Sequence, residues 1–155
     1  MTTTETPTST IQPGHVGVNV VDVDRSARFY GEALGLDVLQ RSEADGRVFA
    51  FLGVGGRPLL TLWQQASGRY EPGRPGLHHV AFQVDSVDAV RAAEARLRAL
   101  GADFAHDGVV AHAEGADSGG IFFLDPDGTR VEVYAPAGVH GSPAPSGAAP
   151  TCGFF

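Results

Sequence analysis

The sequence predicts an α+β fold: two βαβββ modules that form a curved mixed sheet, a cup, with the helices on its outer face. Three observations carry this. The chain repeats itself, HVGVNVVDVDRSARFYGEALGLDV from His15 being matched by HVAFQVDSVDAVRAAEARLRALGADF from His79. Each copy opens on alternating apolar residues and passes into a stretch with apolar residues at helical spacing. Each helical stretch stops at a glycine, and short runs of β-branched and aromatic residues follow, separated by turn residues.

The elements follow in order. Residues 1–12 are Thr-rich and polar, and the composition predicts a flexible N-terminus. A single domain is expected over 13–136, with modules at 13–69 and 76–136 joined by the Pro/Gly-rich linker YEPGRPG. In the first strand Val16, Val18 and Val20 share one face, and His15, Gly17 and Asn19 share the other. Asp22 or Asp24 is placed to cap a helix whose apolar stripe is Ala27, Tyr30 and Leu34 and whose end is Gly35. Strands are expected at 37–41, 48–52 and 59–63. In the second copy Val80, Phe82 and Val84 oppose His79, Ala81 and Gln83. Ser86 or Asp88 caps a helix with Val90, Ala93, Leu97 and Leu100 on its stripe and Gly101 at its end. Strands are expected at 103–106, 120–124 and 129–134, the last two joined by the turn Asp125-Pro126-Asp127-Gly128. Residues 137–155 are mostly Gly, Ser, Ala and Pro and read as a flexible tail. It closes on the apolar Cys152-Gly153-Phe154-Phe155, a segment able to dock on a neighbouring surface.

Composition removes several functions. The 155-residue chain carries a formal charge of −7, with no Lys/Arg run to meet phosphates, so neither nucleic acid nor an anionic membrane surface is expected as a partner. A single cysteine, Cys152, forbids an internal disulfide framework and suits a reducing compartment. The sequence has no run of about 18 apolar residues and no signal-peptide pattern at its start, so a cytoplasmic protein is expected.

The chemistry lies on the polar strand faces. Each helix covers the apolar face of its strands, so the other faces line the concave side. In the last strand Val131 and Val133 share the apolar face while Arg130, Glu132 and Tyr134 share the polar one. His15, His79 and Glu132 then fall on the cup face, and two imidazoles with one carboxylate form a facial ligand set for a divalent metal. A pseudo-twofold axis between the copies would let residues far apart in sequence meet. His78 is expected on the opposite face. His106 and His112, in or near the second-copy loop, are candidate acid/base groups. Asn19, Gln83, Arg130, Phe122, Tyr134 and Trp63 are candidates to line the substrate pocket, as are Phe49 and Phe51, whose face the pattern leaves open.

These motifs resemble the vicinal oxygen chelate superfamily, which includes glyoxalase I, extradiol dioxygenases, fosfomycin-resistance transferases, methylmalonyl-CoA epimerases and bleomycin-resistance proteins. The resemblance is carried by HVGVNVVDVDRSARFYGEALGL, LHHVAFQV and FFLDPDGTRVEVYAP and covers about 13–136. Residue by residue it places the metal ligands at His15, His79 and Glu132, and it implies Fe2+, Mn2+, Zn2+, Ni2+ or Co2+ as the cofactor. Glyoxalase I has a fourth ligand, a carboxylate in the first-copy strand, where this chain has Thr61 in the pocket. The ligand set therefore resembles the extradiol dioxygenases most, with Tyr134 placed to hydrogen-bond a bound oxyanion and His106 or His112 left to serve as base. Lyase or isomerase chemistry of the same superfamily is an alternative. A further one is a metal-free protein that sequesters an antibiotic, for which the acidic charge favours a cationic ligand. The resemblance also implies a small-molecule substrate and a homodimer.

Overall fold

The computed structural model of the chain describes residues 10–155. The expectation of a flexible N-terminus falls largely on residues 1–9, outside the described residues. The first module is β1 (Val16–Asn19), α1 (Val23–Leu34), β2 (Asp37–Ala44), β3 (Arg47–Val54) and β4 (Arg57–Trp63). The second is β5 (Val80–Gln83), α2 (Val87–Ala99), β6 (Val110–Ala111), β7 (Gly119–Leu124) and β8 (Arg130–Ala135). The strands form two four-stranded mixed sheets in equivalent orders, β1-β4-β3-β2 and β5-β8-β7-β6. Each opening strand runs parallel to the last strand of its module, and the other pairings are antiparallel. The α+β plan of two βαβββ modules therefore stands, as two open sheets.

Local chemistry sets the element ends. Asp22 accepts from the Arg25 amide at 3.0 Å and Ser86 from the Ala89 amide at 3.2 Å, so the earlier candidate is the cap in each module. Gly35 ends α1 in the left-handed region, φ 70°. The β2–β3 connection is shorter than the strands expected at 37–41 and 48–52 leave for it. Both strands run on to the two-residue turn Asp45-Gly46, whose φ values of 54° and 72° match the right-handed twist of a hairpin. In the second module the strand expected at 103–106 is absent. Phe104 makes one isolated bridge to Phe123, and β6 lies instead at Val110–Ala111. The Phe104 side chain packs against the core, so the apolar pattern there marks an anchor within a loop.

One core unites the halves. Leu60 and Leu62 of the first sheet and Ile121, Val131 and Val133 of the second pack with Tyr30, Ala33, Val90 and Leu97 of the helices. The DPDG turn docks the modules as well as reversing the chain. Asp125 accepts from the fully buried Tyr30 hydroxyl at 2.8 Å and from the amides of Asp127 and Thr129, each at 2.9 Å. Asp127 pairs with Arg25 and accepts from the Val21 amide at 3.0 Å. On the helix side, Arg96 donates to the Ala33 carbonyl at 3.0 Å. Burial raises the Asp125 carboxyl above its ordinary range, and its bonds to Tyr30 and the two amides partly oppose this. Burial and the neighbouring Asp125 charge raise the Tyr30 hydroxyl well above its ordinary range.

The Gly/Ser/Ala/Pro segment after residue 136, which composition reads as flexible and solvated, is laid along the second module. Ala111 donates to the Pro143 carbonyl and Glu114 to the Gly147 carbonyl, both at 2.7 Å, while Val139 is buried. Main-chain hydrogen bonds to the β6 edge and the following loop hold it, a device that composition does not reveal.

Candidate metal centre

Glu132 lies on β8, an interior strand flanked by β5 and β7. Its pairing partners are Ala81 and Phe122. Small Ala81 leaves space over the carboxylate and Phe122 walls one side, so Glu132 is only 2% exposed. A carboxylate this deep needs partners, and two histidines provide them. His112, directly after β6, brings Nε2 to 2.5 Å from one carboxylate oxygen. His79, directly before β5, brings Nε2 to 3.5 Å from the other. On the other side of the ring, His112 Nδ1 lies 2.9 Å from the Ser118 hydroxyl.

His78 is on this rim too, contrary to the expectation of an opposite face. Both histidines precede β5, where strand alternation has not begun, and their Nδ1 atoms are 2.9 Å apart. Arg130 approaches His78 Nε2 at 3.4 Å and can only donate. One proton must lie between the two Nδ1 atoms, and His79 Nε2 faces the Glu132 carboxylate at 3.5 Å. Desolvation holds the His79 imidazolium below its ordinary range against the pull of Glu132, with the His78 and Arg130 charges adding to the lowering.

The remaining sequence candidates divide by module. Tyr134 donates to Gln83 Oε1 at 3.0 Å and its ring lies 5.1 Å from that of His112. His106 sets its ring against Phe122 at 5.7 Å, and its Nε2 is buried with no hydrogen-bond partner among the described residues. On the first module Thr61 is 1% exposed and accepts from Trp63 Nε1 at 3.1 Å. Phe49 and Phe51 pair with Trp63 and Thr61 across the strands, and their rings contact that of Trp63, tilted and edge-on respectively, which settles their face. Asn19 is exposed and caps the Gln65 amide at 3.0 Å. His15 is exposed at the start of β1 and stands outside the cluster around Glu132.

Residues outside the expected set complete the cluster. Donor atoms of His79, Glu132 and Cys152 all lie within 4.8 Å of one another. Phe155 packs on Phe122 at 5.0 Å and on His79 at 5.7 Å, with the Arg130 guanidinium 5.6 Å from its ring. The apolar CGFF end was the only sequence signal for this. The donor types and their closeness fit a divalent cation. A cavity of about 560 Å³ opens elsewhere, between β1 and the linker, lined by Gly17, Asn19, Tyr70 and Arg74 among others. No helix among the described residues is long and apolar enough to cross a membrane.

Comparison with known proteins gives the family. The family model described as glyoxalase/bleomycin resistance protein/dioxygenase superfamily matches residues 12–133. The catechol-2,3-dioxygenase of Bacillus subtilis (strain 168) is 29% identical over 124 residues, 79% of this chain, and the match spans 40% of that relative. A probable lactoylglutathione lyase of Vibrio cholerae serotype O1 is 28% identical over 82% of this chain and 95% of its own length. A solved glyoxalase/bleomycin resistance protein/dioxygenase domain from Frankia sp. EAN1pec superposes with a TM-score of 0.70 at 28% identity, covering 82% of this chain and 98% of that one. The chain belongs to the glyoxalase/bleomycin resistance protein/dioxygenase superfamily.

Proposed function

We propose that this protein is a divalent-metal-dependent enzyme acting on a small oxygen-rich molecule, with dioxygenase-like chemistry favoured over lyase or isomerase chemistry. One observation carries the proposal: the buried Glu132 carboxylate has His79 and His112 imidazoles on its two oxygens. His79 and Glu132 would hold Fe2+, Mn2+, Zn2+, Ni2+ or Co2+, with His15 as third ligand. His15 stands outside the cluster, so a homodimer in which it comes from a second copy completes the set. When bound, the cation acts as a Lewis acid toward negative charge developing on substrate oxygens.

The chain's own groups do the rest. Tyr134, whose O–H is donated to Gln83 Oε1, would turn that proton to a substrate oxyanion. Arg130 adds positive charge at the rim. His112 Nε2 holds a proton that it can exchange with substrate, and Ser118 keeps its ring oriented. Phe122 excludes water from one side. His79 must present an unprotonated Nε2 to act as a ligand, with its Nδ1 facing that of His78.

The second reading is a metal-free binder of a cationic molecule. It draws on the His112–Glu132 contact, which satisfies the carboxylate without a cation. Elemental analysis of tag-free protein, beside the His79→Ala variant, separates the two. About one transition metal per chain, lost in the variant, supports the enzyme. No metal after reconstitution overturns it and directs the search to cationic ligands.

A further inference from the structure

The segment at Thr151–Phe155 is positioned as part of the site. Thr151 is fully buried, donating through its amide to the His112 carbonyl and through Oγ1 to the Ala111 carbonyl, both at 2.7 Å. It opens a single 3-10 turn, Thr151–Gly153, that carries Cys152 to the side of Glu132. Two more attachments hold the chain leading into it, at Pro143 and Gly147. Beyond the turn Phe154 is 63% exposed, while Phe155 turns inward onto Phe122, His79 and Arg130.

We propose that Cys152 is a sulfur ligand to the cation held by His79 and Glu132, with Phe155 packed on His79 beside it. The proposal rests on His79 and Glu132 being metal ligands. On binding, the sulfur lone pair goes to the cation and the thiol proton leaves to solvent. Sulfur beside imidazole and carboxylate shifts preference toward Zn2+, Co2+ or Fe2+ and away from Mn2+. The chain then fills a coordination position that substrate needs, so the segment and substrate compete, and the segment must swing out for turnover.

The probe is Co(II) added anaerobically to the full chain, with binding measured by dialysis and coordination by near-ultraviolet absorption. Cys152 is the only cysteine, so a thiolate-to-Co(II) charge-transfer band has one source. The wild type is expected to bind about one Co(II) and to show the band. Cys152→Ser and Cys152→Ala are expected to lose the band and to bind Co(II) about tenfold more weakly, a loss on the scale seen for metal-site partners. Co(II) bound without the band, or a band that survives in both variants, overturns the proposal and leaves His79 and Glu132 as ligands. No Co(II) on the wild type overturns both.

Discussion

The two modules share a backbone plan and register and differ in what they place on one face. Gly17 pairs with Thr61 in the first sheet as Ala81 pairs with Glu132 in the second. A histidine stands two residues before each of these partners, His15 and His79. Around Thr61 the first module gathers Phe49, Phe51 and Trp63, a neutral aromatic wall. Around Glu132 the second gathers His79, His112, Tyr134 and Cys152. The duplicated frame supplies position, and a single exchange, hydroxyl for carboxylate, decides which half can hold a charge. Glu132 is tolerable at 2% exposure because imidazoles meet both its oxygens, whereas the Thr61 hydroxyl meets Trp63 Nε1 and the Val16 carbonyl.

Moving the carboxylate tests that difference most severely. Thr61→Glu would bury a charge against Trp63 and the two phenylalanines with no cation nearby, and it is expected to cost about 3–5 kcal/mol in urea unfolding. The reverse operation, Glu132→Gln, keeps the shape, removes the charge and replaces one acceptor oxygen with an NH2 donor. It is expected to lower divalent-metal affinity more than about 100-fold, since partners of ligands alone account for 10–100-fold. Calorimetric titration reads this; affinity within a fewfold of wild type would remove Glu132 from the ligand set.

The turns differ as much as the faces. In the first module Gly55-Gly56 only reverses the chain, whereas Asp125-Pro126-Asp127-Gly128 also binds the other module. Asp125→Ala leaves the Tyr30 hydroxyl and two amides without their acceptor and is expected to cost about 2–3 kcal/mol, read by thermal unfolding. Asp125→Asn gives a pH signature. Burial raises the folded-state carboxyl above its ordinary value of 3.8, so its favourable contribution is complete below that pH and is lost as pH rises through the folded value. The Asn variant lacks this charge cost, so its deficit relative to wild type is expected to shrink between acid and neutral pH; a deficit that grows instead would contradict the assignment. The smallest effect is expected for Thr61→Val, about 1 kcal/mol for the lost Trp63 acceptor with no change in metal affinity.

Much of this was legible because alternation and capping are local. The valines at 16, 18 and 20 and the caps at Asp22 and Ser86 needed no tertiary information. Glu132 was found the same way, as an acid between two core valines. The Tyr30–Asp125 bond was not legible, because the carboxyl's partner lies 95 positions away and DPDG already has a sufficient local meaning as a turn. His78 departs from the alternation pattern because it precedes the strand. Cys152 was missed because a Gly/Pro/Ser-rich approach reads as solvated, and main-chain hydrogen bonds leave no compositional trace.

The docking of the DPDG turn also has a consequence for the order of folding. Val21 meets Asp127 across 106 positions and Tyr30 meets Asp125 across 95, so these contacts wait for nearly the whole ordered chain. During synthesis α1 carries a core tyrosine whose hydroxyl has not yet met its acceptor, and the first module emerges as an unfinished half. Closure of so long a loop costs only slightly more entropy than a shorter one, about 0.6 kcal/mol per doubling, but it slows the search. The turn just ahead of Glu132 thus docks only once both modules are present, and the site is completed with the domain.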